Sequence, residues 1–541
     1  CRFQCCGTGA SATSGVSMIF LLLACSSSET APVATLEVPS DVLPASDAPL
    51  VPLSATRLLR RMSLDLRGVL PSVEELNAVE ADPGQLTQFR DAYLEDPLFE
   101  ERMVLLLGER WQTRVDEFLI HYDEYRDLST TFQDEYPFER AVGEEPLRLM
   151  AHIIAQDRPW TETVTADYTM ANEMLAGIWP IERGSGENWV ESHYTDGRPP
   201  AGVLSTNGLW WRYYTTISNY NRGRASAISR LLLCEDYLSR PVTFNNSVAL
   251  VDQSGIEEAL RSNPYCEGCH SSLDPVASTL FGFWVANEYN SREMDHYHTE
   301  REPLGQYLLE VEPSWFGTPL SGLAQMGQEI AQDPRFSRCA AESMAEIFWR
   351  RELLASDSER INALEDSYLS NDRMIKPMLK TLLDSAVYQE GSLSEDATEE
   401  QLENENTTRL MDATLLWTVL QHLTGWTWEW EGFETLDNDT YGYRILGGGV
   451  DGALVTRPQR TPSLTWSLTV QRAGEGASYY AADTLGKPET FFHYVQPGMQ
   501  PQDAAFSQEL EELYWHFYAE RPDDSWKSSI SQLWSTVQQR E

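Results

Sequence analysis

Lysine is almost absent from this 541-residue chain, which contains only Lys376, Lys380, Lys487 and Lys527. Arginine therefore supplies nearly all of the 40 basic residues, against 83 acidic ones, and the formal net charge is −43. A surface of this sign repels nucleic-acid phosphates, so we expect no nucleic-acid partner. The content of hydrophobic (42%) and aromatic (11%) residues is ample for buried cores.

Several motifs of common enzymes are also missing. We find no Walker loop, zincin motif or Ser-His-Asp order that would indicate a hydrolase, and Gly447–Gly449 lacks the strand–loop–helix context of a nucleotide site. Acidic pairs are frequent, but in a chain this acidic they do not indicate acid–base catalysis. The sequence therefore names no reaction.

The apolar run from Met18 to Cys25 is too short to span a bilayer and suits the central part of a signal peptide. It ends in Leu-Leu-Ala-Cys, which looks like a bacterial lipobox with Cys25 as the lipidated residue, although a chance apolar stretch is the alternative. Residues 26–53 are rich in Ser, Ala and Pro and predict an extended tether. We expect an exported lipoprotein, periplasmic or at the cell surface, attached to a membrane through Cys25; Ser26 is compatible with the outer membrane.

From Ser54 onward, apolar residues recur mostly at helical spacing. Ser72 and Glu75 form a capping box after a first helix that ends at Gly68, and Ser254 with Glu257 forms a second capping box. Helices are predicted over 161–177 and 222–237, and an irregular stretch over 180–200. We therefore predict a mainly α, multi-domain protein with loop-rich connections. Its predicted segments are a signal peptide (1–25), a tether (26–53), a helical N-terminal domain (54–200), a second helical domain (201–390), an acidic linker (391–407) and a helical C-terminal domain (408–541).

The motif that carries chemistry is Cys266-Glu-Gly-Cys269-His270, a c-type haem attachment sequence. One helical turn separates the two thiols, so both can bond to one porphyrin, and His270 can then ligate the iron. We expect one covalent haem c at this site, which makes the helical domain 201–390 a cytochrome c-like haem-bearing domain. The alternatives are a pair of structural thiols, or a zinc site completed by His296 or His298.

The sequence does not determine which residue would be the distal iron ligand. Met326 is the leading candidate because it lies in an apolar predicted helix, which would suit a haem wall, and a five-coordinate iron is the alternative. The other downstream candidates are Met294, His296, His298 and Met344.

Counting the cysteines predicts a disulfide. If Cys25 carries lipid and Cys266 and Cys269 carry haem, Cys234 and Cys339 remain in the mature chain. In an oxidising compartment these two would form a disulfide, with two buried free thiols as the alternative.

Residues 57–76 (RLLRRMSLDLRGVLPSVEEL) resemble the opening of a domain of unknown function, with the pattern LxRRxxLDLxGxxPxxEE. This domain occurs beside cytochrome c-like modules in large exported proteins of planctomycetes and myxobacteria. The segments beginning at Arg198 and at Asn263 resemble the haem-bearing domain of the same proteins, and 333–351 its C-terminal part; 443–451 resembles a further segment. After Asp274-Pro275 this chain departs from the usual Gly-Phe-x-x-Glu-x-Phe-Asp, so the resemblance implies haem binding and export but no distal ligand.

Three functions compete at this stage. The leading hypothesis is single-electron transfer to a redox partner that the sequence does not name. The second is a haem-dependent oxidoreductase or peroxidase-like enzyme with an open iron. The third is a surface lipoprotein with structural haem or zinc, in which tryptophans grip a ligand such as a glycan; the residues concerned are Trp210, Trp211, Trp426, Trp428 and Trp430.

Overall fold

The structure is a computed structural model, and the chain is described over most of its length. Cys25, most of the tether and most of the acidic linker lie outside the described part. The described residues belong to a single compact unit, Asp47–Glu541, and the domain boundaries within it stay predictions. The described residues are 50–114, 136–240, 253–285, 293–393, 409–438, 442–452, 454–485, 487, 491–496, 499–500 and 502–538.

Helices dominate the first half of the chain, which confirms the predicted mainly α class. They begin directly after the tether and are joined by short connections. Their bounds are α1 (Ala55–Arg67), α2 (Val73–Ala81), α3 (Leu86–Leu94), α4 (Pro97–Trp111), α5 (Tyr136–Ala155), α6 (Glu162–Thr165), α7 (Glu173–Ile178), α8 (Asn207–Arg212), α9 (Arg222–Leu232), α10 (Gln253–Ser262) and α11 (Pro264–Ser278).

The second half is helical as well. In the described residues, no helix is both long enough and apolar enough to cross a membrane. The helices here are α12 (Leu304–Leu309), α13 (Leu323–Gln332), α14 (Pro334–Trp349), α15 (Ser358–Ser370), α16 (Ile375–Leu383), α17 (Ala386–Gln389), α18 (Ala413–Thr424), α19 (Tyr443–Leu446), α20 (Leu464–Asp483), α21 (Ala504–Tyr518) and α22 (Asp524–Gln538).

The strands are short and pair only antiparallel. The one three-stranded sheet has the order β2-β4-β3, and the others are two-stranded pairs: β1 with β7, β5 with β6, and β8 with β9. The strands are β1 (Leu50–Pro52), β2 (Thr169–Ala171), β3 (Ile181–Arg183), β4 (Val190–Tyr194), β5 (Ser314–Trp315), β6 (Thr318–Pro319), β7 (Glu390–Leu393), β8 (Glu429–Trp430) and β9 (Phe433–Glu434).

The predicted start of the helical region is confirmed in detail. Helix α1 ends at Gly68, whose φ of 72° is left-handed and therefore suits glycine. The Ser72 side chain accepts from the Glu75 amide, while the Glu75 carboxylate accepts from the Ser72 amide. This capping box satisfies two backbone donors that would otherwise be unpaired at the start of α2.

Two local predictions were wrong. The region 161–177 is a short helix, a strand and a second helix, because Asn172 accepts from the Leu175 amide and starts α7 anew. The stretch 180–200, expected to be irregular, contributes two of the three strands of the sheet. The capping box predicted at Ser254 and Glu257 falls on side chains outside the described part and stays a prediction.

A buried ion cluster fastens distant parts of the chain to one another. Arg350 directly follows α14. Its guanidinium donates to Glu109 of α4 at 3.1 Å and to Asp412 at 2.6 Å. Asp412 is the N-cap of α18, where its other carboxylate oxygen accepts from the Leu415 amide. Because all three charges are shielded from water, the cluster holds α4, α14 and α18 together.

Candidate functional site

The Cys266–His270 motif lies at the start of α11. Asn263 caps this helix by accepting from the Tyr265 amide at 3.0 Å, and Pro264 occupies its first turn. Pro is tolerated there because its missing N–H would have no partner within the helix. Cys266, Cys269 and His270 are thereby fixed on one helical turn, as the spacing predicts.

These three side chains point toward the inner side of α11. At 100° per residue, Cys266 and His270 lie on the same side as Leu273 and Ala277, which are buried in the core. Both thiols are free and only half-buried. This face of α11 is therefore buried at Leu273 but partly exposed to solvent at Cys266 and Cys269, one to two turns closer to the start of the helix. A planar group bonded to the thiols would lie at this partly open face.

A chain of charged groups orients the histidine. His270 Nδ1 lies 2.9 Å from Asp274 Oδ1, and Arg222 donates to both carboxylate oxygens of Asp274 at 2.8 and 3.0 Å. Burial alone would raise the pKa of Asp274, but the hydrogen bond from His270 and the Arg222 charge lower it. An ionised carboxylate only accepts, so Nδ1 carries the proton and Nε2 offers its lone pair.

This arrangement is the usual one for a metal-bound histidine, in which a carboxylate fixes the tautomer and the orientation of the ring. Within the described part of the chain, Nε2 of His270 makes no hydrogen bond. The residues therefore fit the proximal side of a haem. Arg222 was missed by sequence reasoning, because it lies 48 positions before His270 and belongs to no motif.

The candidate distal ligands differ in burial and in the hydrogen bonds that they already make to other residues. Met326 is fully buried on α13, which packs against α6 and α14. Helix α11 packs mainly against α9, α10 and α12, and both α11 and α13 contact β5. The Met294 sulfur accepts from buried Arg224 at 3.6 Å. His298 uses both ring nitrogens, one with Glu300 and one with the Glu293 carbonyl. His296 pairs with Asp295, and Met344 is buried in the core on α14.

The ligands proposed for the zinc alternative do not assemble in the described structure. Over these residues, no group of three or more His, Cys, Asp or Glu side chains is placed to hold a metal ion. His296 and His298 take the other partners given above.

Two further cysteines form a disulfide. Cys234 and Cys339 are bonded, with their Cα atoms 5.2 Å apart. The bond joins the end of α9 to α14, and Arg110 of α4 donates toward Cys234 Sγ at 2.9 Å. The predicted pairing is therefore present, on the helices that flank the haem segment in sequence.

The tryptophans of the ligand-binding hypothesis are divided between core and surface. Trp210 and Trp211 are buried, and the Trp210 indole donates to the Leu204 carbonyl. Trp426 and Trp428 stack at 6.5 Å between ring centroids, and Trp430 is exposed. Only the last three can reach a ligand at the surface.

A cavity of about 560 Å³ lies away from α11, between the first helices and the last ones. Its volume is in the range of small-molecule sites. Three of the nine histidines of the chain line it, namely His422, His493 and His516, together with carboxylates and apolar side chains. Burial lowers the pKa of His422 and of His516.

Two segments of the chain match known families. Residues 53–181 match the family described as "Protein of unknown function (DUF1592)". Residues 316–388 match "Protein of unknown function (DUF1585)". No curated protein and no solved structure matches the chain.

These matches bear on the resemblance stated above. They cover the opening motif at 57–76 and the segment 333–351, so both lie in domains of unknown function. The CxxCH helix lies between the two matched segments and outside both. The buried ion cluster connects the matched segments, because Glu109 belongs to the first and Arg350 to the second.

Proposed function

We propose that this chain is an exported, lipid-anchored c-type haem protein whose leading role is single-electron transfer. Cys266 and Cys269 would bond covalently to the haem, and His270 Nε2 would ligate its iron. The observation that carries the proposal is the Arg222–Asp274–His270 chain, which orients an imidazole beside two free thiols one helical turn apart. When bound, the haem supplies one-electron chemistry.

The residues around the motif have distinct tasks in this proposal. Asp274 accepts the Nδ1 proton of His270, which increases electron density on the ring and lowers the reduction potential of a bound metal. Arg222 balances the carboxylate, so that Asp274 stays ionised while it is buried. Leu273 and Ala277 close the inner face beyond the motif and exclude water from that end.

The disulfide supports export. Disulfides persist in oxidising compartments and are rare in the cytosol, and covalent haem attachment also takes place outside the cytoplasm. The Cys234–Cys339 bond is therefore consistent with the proposed lipobox at Cys25, which lies outside the described residues.

A haem-dependent oxidoreductase is the second candidate. It is favoured by the engagement of two possible distal ligands, because the Met294 sulfur accepts from Arg224 and both nitrogens of His298 are hydrogen-bonded. If Met326 also stays in the core, the iron is left open to a small oxidant. The spin state of the iron distinguishes the two functions: low-spin, six-coordinate iron supports transfer, and five-coordinate iron supports an enzyme.

The test is expression together with a c-haem maturation system, followed by a pyridine haemochrome spectrum and intact mass. We expect one haem that remains attached after denaturation in the wild-type chain and none in Cys266→Ala/Cys269→Ala. Cys234→Ser/Cys339→Ser is the matched control, because it also removes two cysteines but should retain the haem. A colourless wild-type protein would overturn the proposal.

A further inference from the structure

We propose that a small cavity beside helix α4 binds a monovalent anion of the size of chloride. The cavity has a volume of about 20 Å³, and Arg102, Asp412 and Arg444 are among the residues that line it. None of the described residues that line it belongs to α11, so the inference goes beyond the haem site and does not depend on it.

The central observation is a buried arginine that lacks a partner. Arg102 lies on α4 and is only 2% exposed. Among the described residues, its side chain forms neither a hydrogen bond nor a salt bridge, and its buried Nε has no acceptor. Because burying an unpaired charge is costly, a guanidinium in such a position normally has an anion or another acceptor beside it. The cavity is the open space next to Arg102 in which such a group could lie.

The two carboxylates that line the cavity are already bound to another arginine. Arg350 donates to Glu109 at 3.1 Å and to Asp412 at 2.6 Å. Arg460 lies close enough to act on both carboxylates as well. These two guanidinium groups therefore balance Glu109 and Asp412 without a contribution from Arg102.

The pKa values of the two buried arginines agree with this difference. Burial alone would lower the pKa of Arg350, but Glu109 and Asp412 outweigh it and raise the pKa. Burial also lowers the pKa of Arg102, and there the more distant carboxylates do not offset it. The surrounding residues thus compensate the charge of Arg350 and leave that of Arg102 only partly compensated.

Other groups at the cavity also favour a negative ion. Arg114 and Arg444 line it, so that three guanidinium groups and two carboxylates form its wall. Thr414 brings the first turn of α18 to the cavity, and this 12-residue helix has the positive end of its dipole there. An anion beside Arg102 would therefore meet more positive than negative charge, although the whole chain has a formal charge of −43.

The volume of the cavity determines the class of anion. About 20 Å³ exceeds the roughly 10–15 Å³ that one water molecule needs, and it leaves no room for an organic ligand. A chloride ion is somewhat larger than a water molecule and carries the single negative charge that Arg102 lacks. A water molecule would supply an acceptor but no charge. The bound ion would link α4 to α18 and to the segment 442–452.

The first test is thermal unfolding of the full-length wild-type protein in sodium chloride and in sodium gluconate, each at about 200 mM. Gluconate is too large for the cavity, and equal ionic strength keeps the screening of surface charges the same. A ligand that binds only the folded state raises the unfolding midpoint, and we expect it to be about 1–3 °C higher in chloride.

Two arginine variants assign this effect to the cavity. Arg102→Met removes the charge and keeps an apolar chain, so its midpoint should be the same in both salts. In gluconate the variant should be at least as stable as the wild type, because an uncompensated buried charge is gone. Arg90→Met is the matched control: Arg90 is also buried but pairs with Asp384 at 2.5 Å, and this variant should keep the full difference between the salts.

The second test needs no variant. In crystals of the wild-type protein soaked in sodium bromide, the anomalous signal should show one bromide within hydrogen-bonding distance of the Arg102 guanidinium. A water molecule in that place, with no anomalous signal, would overturn the anion site. The same would follow from a wild-type midpoint that does not differ between the salts, or from a difference that persists in Arg102→Met.

Discussion

The substitution Asp412→Asn tests the ion cluster around Arg350, and its effect on stability can be calculated from the structure. Asp412 is almost fully buried, and its carboxylate lies 2.6 Å from the Arg350 guanidinium. Burial alone would raise the pKa of Asp412, but Arg350 and Arg102 outweigh it and lower the pKa from 3.8 to about 2. At 1.36 kcal/mol per pKa unit, this lowering corresponds to about 2 kcal/mol of stability at neutral pH.

The variant removes the negative charge of residue 412 but keeps its role as the N-cap of α18. An asparagine amide oxygen can still accept from the Leu415 amide, so α18 keeps its N-cap while the ion pair is lost. Asp412→Ala removes both interactions, and we expect it to cost about 1 kcal/mol more than Asp412→Asn.

The dependence on pH follows from the sign of the shift. Because the folded-state pKa is lowered, the stabilisation is complete well above pH 3.8 and is lost as the pH falls toward 2. The stability gap between wild type and Asp412→Asn should be about 2 kcal/mol at pH 7 and about half of that at pH 3.

Urea unfolding followed by circular dichroism, run in parallel on both proteins at each pH, measures this gap. A gap that is the same at pH 7 and pH 3, or no gap at pH 7, would refute the electrostatic reasoning.

Three further outcomes follow from the structure. Asp274→Ala should lower the free energy of unfolding by roughly 1–3 kcal/mol, because it leaves the half-buried Arg222 guanidinium without its carboxylate partner, and thermal unfolding with Asp274→Asn for comparison measures this. Cys234→Ser/Cys339→Ser should cost roughly 2–5 kcal/mol and make the unfolding midpoint insensitive to dithiothreitol; a midpoint that still falls with reductant would contradict it. Met326→Ala should cost roughly 2–5 kcal/mol through the cavity it leaves. If Met326 is also the distal ligand, its loss converts low-spin to high-spin iron, and an unchanged spectrum would remove it from that role.

Local features of the fold were predictable where the signal is carried by neighbours in sequence. The Ser72–Glu75 capping box and the glycine that ends α1 need only residues within one turn, and both are present. The prediction failed over 161–177, where threonines and a strand partner in β4 outweigh the helical spacing of the apolar residues. Sheet partners that lie 19 to 23 positions away leave no periodic signal in such a stretch.

The candidate site divides along the same line. The turn that carries Cys266, Cys269 and His270 follows from spacing alone, and the Cys234–Cys339 pair was reached by elimination. Asp274 has two charged or polar partners, which differ in their distance along the chain. His270 is one turn away on the same helix, whereas Arg222 comes from α9. Contacts of the second kind depend on how the helices pack, and single-sequence patterns do not specify this packing.

The central claim is covalent haem on α11, and the most direct measurement is the intact mass of the denatured protein after expression with c-haem maturation. We expect one added haem in the wild type and in Cys234→Ser/Cys339→Ser, and none in Cys266→Ala/Cys269→Ala. A wild-type mass without haem, or haem retained after loss of Cys266 and Cys269, would contradict it.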